Sequence, residues 1–315
     1  MFVVKDAVRE ATPALIGLWG PSGSGKTYSA LLVARGLVGP KGKIVVIDTE
    51  NGRAKFYASM VGGWQHIDFQ PPFTAQRYTE AMLSAEKAGA DVIVIDSMSH
   101  VWEGEGGTLD QADSSDDKGL AKWKAPKIAY KRMMNNLLRS PVHVIFCLRA
   151  KEKYVQVRNG SKTEIVSQGL TPIMEKNFIF EMTVGVQLSP ETHAPVVPIK
   201  APEDIVAAIP LDKPLGIETG TKIAEWVAGG VAVNREIEDL KRNARDKAAE
   251  GSVKMRAWWE TELTKTQRQR LASMIEELKM IANQADADEA EKAPATIGSE
   301  ADPLDDAFTP AKQAA

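Results

Sequence analysis

One cysteine, Cys147, occurs in 315 residues. No disulfide can close within the chain and no thiolate cage can hold a metal, and a reducing compartment suits such a sequence. Long apolar runs are missing too. No stretch of roughly 18 apolar residues offers a membrane span, and Asp6 and Glu10 interrupt the opening segment where a secretory signal needs an unbroken apolar core. The expectation is a cytoplasmic protein with no membrane partner. Excess charge of one sign is lacking as well, the net value being −3.

What is present is 43% hydrophobic and 26% charged residues, enough for one large core and a smaller unit. Residues 1–200 carry 24 Lys and Arg against 20 Asp and Glu, and the remainder 15 against 22. That asymmetry allows a basic working surface early and an acidic appendage late.

Apolar runs at Ala14–Trp19, Lys43–Asp48, Asp91–Asp96 and Val142–Leu148 read as buried strands, with helices at Lys26–Val38, Thr74–Lys87 and Leu120–Leu138 between them. Strands without polar alternation, separated by helices, predict a parallel sheet covered on both faces. Its ligands belong at the carboxyl ends of the strands. Alternating segments then flank Asn159-Gly160, a hairpin signal, and FIFEMTVGVQL and APVVPIK read as two further strands. From about Ile217 the pattern is helical, in spans near 232–250, 253–262 and 266–283. Residues 285–315 carry 2 basic against 8 acidic residues and almost no large apolar side chain, which predicts a disordered acidic tail. The expected division is 1–210, the α/β core; 211–284, a small helical unit; and 285–315, the tail.

The sequence G-x-x-x-x-G-K-T runs from Gly20 to Thr27, after a strand and before a helix, the context a phosphate-cradling loop requires. Gly20, Pro21, Ser22, Gly23, Ser24, Gly25, Lys26, Thr27 and Tyr28 are therefore the candidate ATP-binding residues. Backbone N–H groups and the helix dipole face the phosphates, and Lys26 reaches the β and γ groups. Thr27 and Asp96, the latter ending DVIVID, are the candidate Mg²⁺ ligands. The strand KIVVID ends in two acids. Glu50, two residues past the strand, is placed to orient and deprotonate a water attacking the γ phosphate; Asp48 stays open between a solvated strand end and a functional acid.

GPSGSGKT, VVIDTE, VIVIDS and VIFCLR, in this order, resemble the ATPase core of the RecA-like recombinases, whose catalytic glutamate follows an I-D-x-E strand. With WEGEGG and LRAKEKY the chain is similar to the Sak-type phage single-strand annealing proteins, which have a minimal RecA-like core. The resemblance covers roughly 14–200. It implies an α/β fold: a RecA-like P-loop NTPase core with a mostly parallel central sheet, β-hairpin additions, a small C-terminal helical unit and a disordered acidic tail. Where recombinases place a γ-phosphate-sensing glutamine, this chain has Arg149, a cation able to stabilise transition-state charge. Glu50, Lys26 and Arg149 are the expected catalytic residues.

The family's layout further implies two DNA-holding loops, matching 99–127 and 150–172. The first begins acidic and turns basic around Trp123, with Lys122 and Lys124 as candidates. The second offers Lys151, Lys153, Arg158 and Lys162 with Tyr154, a mixture of cations and an aromatic suited to a single strand. Lys200, closing a late strand, is a further candidate cation for a neighbouring subunit's site. The expected function is an ATP-hydrolysing, DNA-stimulated phage-type recombination protein that binds single-stranded DNA and promotes annealing or strand exchange. It would act as a homo-oligomeric ring or filament, with a single-strand-binding protein as a candidate partner. The alternatives are a nucleotide-gated scaffold or loader with little hydrolysis, and a helicase-like motor.

Overall fold

In the computed structural model the described residues are 8–159, 162–230 and 235–292. The chain forms two compact units, one running to Val233 and one beginning at Asn234.

In the first unit a sheet has the strand order β3-β2-β4-β5-β1-β7-β8. Its strands are β1 (Leu15–Gly20), β2 (Ile44–Asp48), β3 (Gln65–Asp68), β4 (Val92–Asp96), β5 (His143–Asn159), β7 (Val184–Leu188) and β8 (Pro195–Lys200), with β6 (Lys162–Pro172) paired only to β5. Every pairing from β3 across to β7 is parallel, and β8 closes the edge antiparallel. The apolar runs lack polar alternation because both faces are covered. Leu15, Val45, Ile47, Ile93, Ile95, Val144 and Phe146 enter one core. Their neighbours Ile16, Ile44, Val46, Val92, Val94, Ile145 and Cys147 enter the other.

Helix α1 (Lys26–Val38) follows β1, α2 (Ala75–Lys87) lies between β3 and β4, and α3 (His100–Glu103), α4 (Thr108–Asp113) and α5 (Lys124–Leu137) separate β4 from β5. The short α6 (Glu203–Val206) and then α7 (Ile217–Ala228) follow β8. In the second unit α8 (Arg235–Ala249), α9 (Ser252–Thr261), α10 (Lys265–Leu271) and α11 (Ile275–Lys292) close around Leu240, Trp258, Leu271 and Leu278. Among the described residues no helix is long and apolar enough to cross a membrane.

Several expectations need correction. Strand β3 reads QHID, and an edge strand this polar and half-exposed leaves no apolar run to recognise. Phe178–Glu181, expected as strand, is a 3-10 turn with Phe178 buried, so the strand begins only at Val184. The segment 99–127 is not a continuous loop, since α3 and α4 lie in it. Helix α11 runs to Lys292, so the first residues of the expected tail are helical, with Asp286 accepting the Ser252 N–H at 3.0 Å. The rest of that tail lies outside the described residues.

The division between units also falls later than position 211, because α7 packs on α1 through two glycines. A Cβ on Gly36 would stand 2.0 Å from the Ile217 carbonyl oxygen, and one on Gly220 would stand 2.1 Å from that of Val33. Next to Gly36 the buried Arg35 donates to the carbonyls of Val61 (2.6 Å), Gly39 (2.7 Å), Gly42 (2.7 Å) and Gly63 (3.0 Å), so its charge is met by four carbonyl dipoles.

Replacing Gly220 by Ala should force backbone off backbone and destabilise the first unit by about 1–3 kcal/mol. A thermal unfolding midpoint within a degree or so of wild type, read by circular dichroism, would refute this contact.

Candidate nucleotide site

The carboxyl ends of the central strands are in register. Leu18 pairs with Cys147, Cys147 with Asp96, Asp96 with Asp48 and Asp48 with Asp68, so one row crosses five strands. The functional candidates sit on or just past that row, around an open cleft of about 750 Å³. It is lined by Ser22, Gly23, Gly25, Lys26, Thr27, Tyr28, Glu50, Asp96 and Arg149 from the expected set.

Gly20 is required by a close approach, since a Cβ there would meet Ser24 Oγ at 2.4 Å and the Leu188 carbonyl at 2.7 Å. Gly23 and Gly25 take φ of 85° and 78°, the left-handed region that turns the loop into the α1 N-terminus. Gly20, Pro21 and Ser24 do not line the cleft. They support it: Lys26 Nζ donates to the Gly20 carbonyl at 3.0 Å and the Pro21 carbonyl at 2.7 Å and lies 3.5 Å from Ser24 Oγ. Burial lowers the Lys26 pKa, partly opposed by the surrounding anionic groups.

Thr27 Oγ1 donates to Asp96 Oδ2 at 2.5 Å. A hydroxyl and a carboxylate fit a hard divalent cation whose other ligands come from water and phosphate. The loop N–H groups and Lys26 likewise fit a polyphosphate. Burial pushes the Asp96 carboxyl up to about 6, the Glu50 and Asp48 charges adding to it and Thr27 and Lys26 opposing.

Asp48 is not a solvated strand end. It is fully buried, and its Oδ1 accepts the Glu50 N–H at 2.7 Å while Oδ2 accepts the Ala54 N–H at 3.1 Å and lies 3.3 Å from His66 Nε2. Asn51 and Gly52 both have positive φ, turning the chain back so that this carboxylate can bind both ends of the turn. The turn presents Glu50 to the cleft. There Arg149 grips it, Nε to Oε1 at 2.9 Å and Nη2 to Oε2 at 2.8 Å. Burial alone would raise the Glu50 pKa, but the hydrogen bonds and charge of Arg149, with Arg53 nearby, hold it below the usual carboxylate range. The bond to Glu50 raises Arg149 in turn.

Sequence reasoning missed one wall. Arg53, Phe56, Tyr57, His193 and Pro214 also line the cleft. Phe56 is exposed, and Tyr57 lies edge-on to Tyr28 with ring centres 6.0 Å apart. The Phe56-Tyr57 pair soon after Glu50 was the available signal.

The DNA candidates are less united. Beyond Arg149, β5 leaves the sheet and pairs with β6 in a two-stranded ribbon, the register closing at Asn159 against Lys162. Strand alternation puts Lys151 and Lys153 on one face and Tyr154 and Arg158 on the other. Glu152 accepts from Tyr154 OH and Ser167 Oγ, both at 2.8 Å. The Lys162 side chain lies outside the described residues. Lys122 is bound to Asp113 at 2.7 Å, and Lys122 and Lys127 flank the Trp123 ring at 5.7 and 5.6 Å. Lys124 begins α5. Lys200 donates to the carbonyls of Ile179, Phe180 and Met182, so its ammonium is committed within its own chain.

Asp96 gives a pH signature. Its folded pKa near 6 lies above the ordinary 3.8, so the folded state holds the proton more tightly, and stability is lost as pH rises from about 4 to 6. Asp96→Asn should therefore stabilise the nucleotide-free protein above pH 7, by on the order of 2–3 kcal/mol, with the gain shrinking towards pH 4. Denaturant titrations of both proteins across that range test it, and a pH-independent difference would count against it.

No curated protein matches the sequence. Among solved structures, a KaiC-like protein from the hyperthermophilic archaeon Pyrococcus horikoshii OT3 aligns at 13% identity, over 52% of this chain and 88% of that one, with a TM-score of 0.30, too loose a likeness to argue from. An AAA domain family matches residues 12–195. That span opens just before β1 and ends as β8 begins, taking in the glycine loop, both strand-end acids, Glu50 and Arg149, and this chain belongs to the AAA domain family of P-loop ATPases.

Proposed function

We propose that the chain is a Mg²⁺-dependent, DNA-stimulated ATPase of recombination, of the Sak-type phage group, that binds single-stranded DNA as a homo-oligomer and promotes annealing or strand exchange. The observation that carries the hydrolytic part is the convergence of Lys26, Thr27, Asp96, Glu50 and Arg149 on one cleft. The loop N–H groups and Lys26 bind the triphosphate, and Thr27 and Asp96 hold the cation. Magnesium there supplies charge neutralisation on the phosphate oxygens. Glu50 accepts a proton from the attacking water, and Arg149 stabilises charge on the terminal phosphoryl group.

The DNA part is supported by continuity. Strand β5 carries Arg149 in the cleft and, two and four residues on, Lys151 and Lys153 on the exposed ribbon. A change in what Arg149 holds is therefore felt where a phosphate backbone would lie. Tyr154, largely exposed, offers a stacking surface on the opposite face.

The bidentate Arg149–Glu50 pair also favours a second reading, a nucleotide-gated scaffold or loader. While it holds, the pair keeps the Glu50 carboxylate a weaker base and keeps the Arg149 guanidinium on the acid instead of on the terminal phosphoryl group. Glu50→Gln separates the two. A hydrolase should lose about 10²–10⁴-fold of its DNA-stimulated turnover while still binding nucleotide, whereas equal, near-zero rates in both proteins would favour the scaffold.

Converting Lys151, Lys153 and Arg158 together to Ala should weaken single-strand binding and flatten its salt dependence by about 2 in log–log slope, leaving nucleotide affinity alone. Unchanged anisotropy titrations would remove the ribbon from the DNA site.

A further inference from the structure

His100 is unassigned by the reading above. It opens α3 just past β4, with its ring stacked on Phe73 at 4.8 Å and 24°. Nδ1 lies 2.8 Å from Thr49 Oγ1, and Nε2 lies 3.8 Å from Glu50 Oε1. We propose that His100 is the positioning residue of Glu50, a neutral imidazole whose Nε2–H orients the carboxylate once Arg149 has left it for the nucleotide. The proposal rests on the hydrolytic reading, in which Glu50 serves a water.

The hydrogen-bond network selects the tautomer. Thr49 Oγ1 accepts the Ser97 N–H at 2.7 Å and has one proton to give, either to the Ser97 carbonyl at 3.1 Å or to His100 Nδ1. The Ser97 carbonyl already accepts from Tyr78 OH at 2.8 Å. If Thr49 gave its proton to that carbonyl, Nδ1 would have to donate, and the Nε2 lone pair would face a carboxylate. Giving it to Nδ1 instead turns an N–H towards Glu50 and leaves no donor or acceptor of the network opposed. The charged groups facing the ring are Glu50, past the end of β2, and Arg149 on β5. Burial and Arg149 lower the imidazole pKa against the pull of Glu50, which keeps the ring neutral.

Mobility separates the two partners of Glu50. The Arg149 side chain is 43% exposed and lines the cleft, whereas that of His100 is 11% exposed, stacked on Phe73 and held at Nδ1 by Thr49. At 3.8 Å the imidazole makes no hydrogen bond while Arg149 holds both oxygens. After Arg149 departs, the Glu50 carboxylate loses the fork that holds both its oxygens, and a small rotation brings it onto Nε2–H.

Two amides divide the ring's contacts. His100→Gln places a donor where Nε2 was, and His100→Asn places one where Nδ1 was. Positioning predicts that Gln keeps turnover within about threefold, while Asn and Ala lose about tenfold or more in kcat with KM for ATP little changed. Asn as active as Gln, or Ala at the wild-type kcat, overturns it. Ring nitrogen shifts in the nucleotide-free protein supply a readout independent of turnover. An Nε2–H tautomer, and a His100 titration that moves to lower pH in Glu50→Gln, support the contact; an Nδ1–H tautomer or an unmoved titration refutes it. A wild type without ATP turnover would defeat the hydrolytic reading by itself, and the spectra would still decide the pairing.

Discussion

Everything at the site depends on the parallel strands ending in step. Because β1, β5, β4 and β2 share one register line, Asp96 and Asp48 sit side by side, and Arg149 falls two residues beyond Cys147. A slip of one residue in any of these strands would reverse which side chains face each core, and the two apolar cores forbid it. The arrangement of chemical groups is thus enforced by hydrophobic packing that involves none of them.

That arrangement crowds acids into a region of little water. Asp48 answers with backbone N–H donors and becomes a brace for the Glu50 turn. Glu50 answers with the fork of Arg149, whose planar geometry matches a carboxylate. Asp96 has only Thr27 and the nearby Lys26, and its raised pKa records the shortfall. A buried carboxyl left short of partners is one that a cation would relieve, which accords with its place beside the phosphate loop.

Much of this was legible because it rests on local patterns. The glycine loop, the buried strands and their terminal acids each announce themselves within a few residues, and Lys26, Thr27, Glu50, Asp96 and Arg149 do share a cleft. What escaped was set by tertiary context. Strand β3 exists because β2 offers it an edge, and its own QHID shows no strand pattern. The burial of Asp48 follows from where Ala54 and His66 come to lie, and Phe56 reaches the cleft only through the turn at Asn51-Gly52. The assignment of α7 to the first unit turned on Gly36 meeting Gly220, two residues far apart in the chain that give no periodic signal.

Strand β5 is seventeen residues long and passes without interruption from the centre of the sheet into the ribbon. From Arg149 to Arg158 it extends about 30 Å. Anchored at one end and free at the other, it behaves as a pointer: a tilt of about five degrees at its root sweeps the far end through about 2–3 Å, roughly the reach of one hydrogen bond. Small angular adjustments between the guanidinium and the acid at the root are thereby enlarged into displacements of the ribbon's outer end.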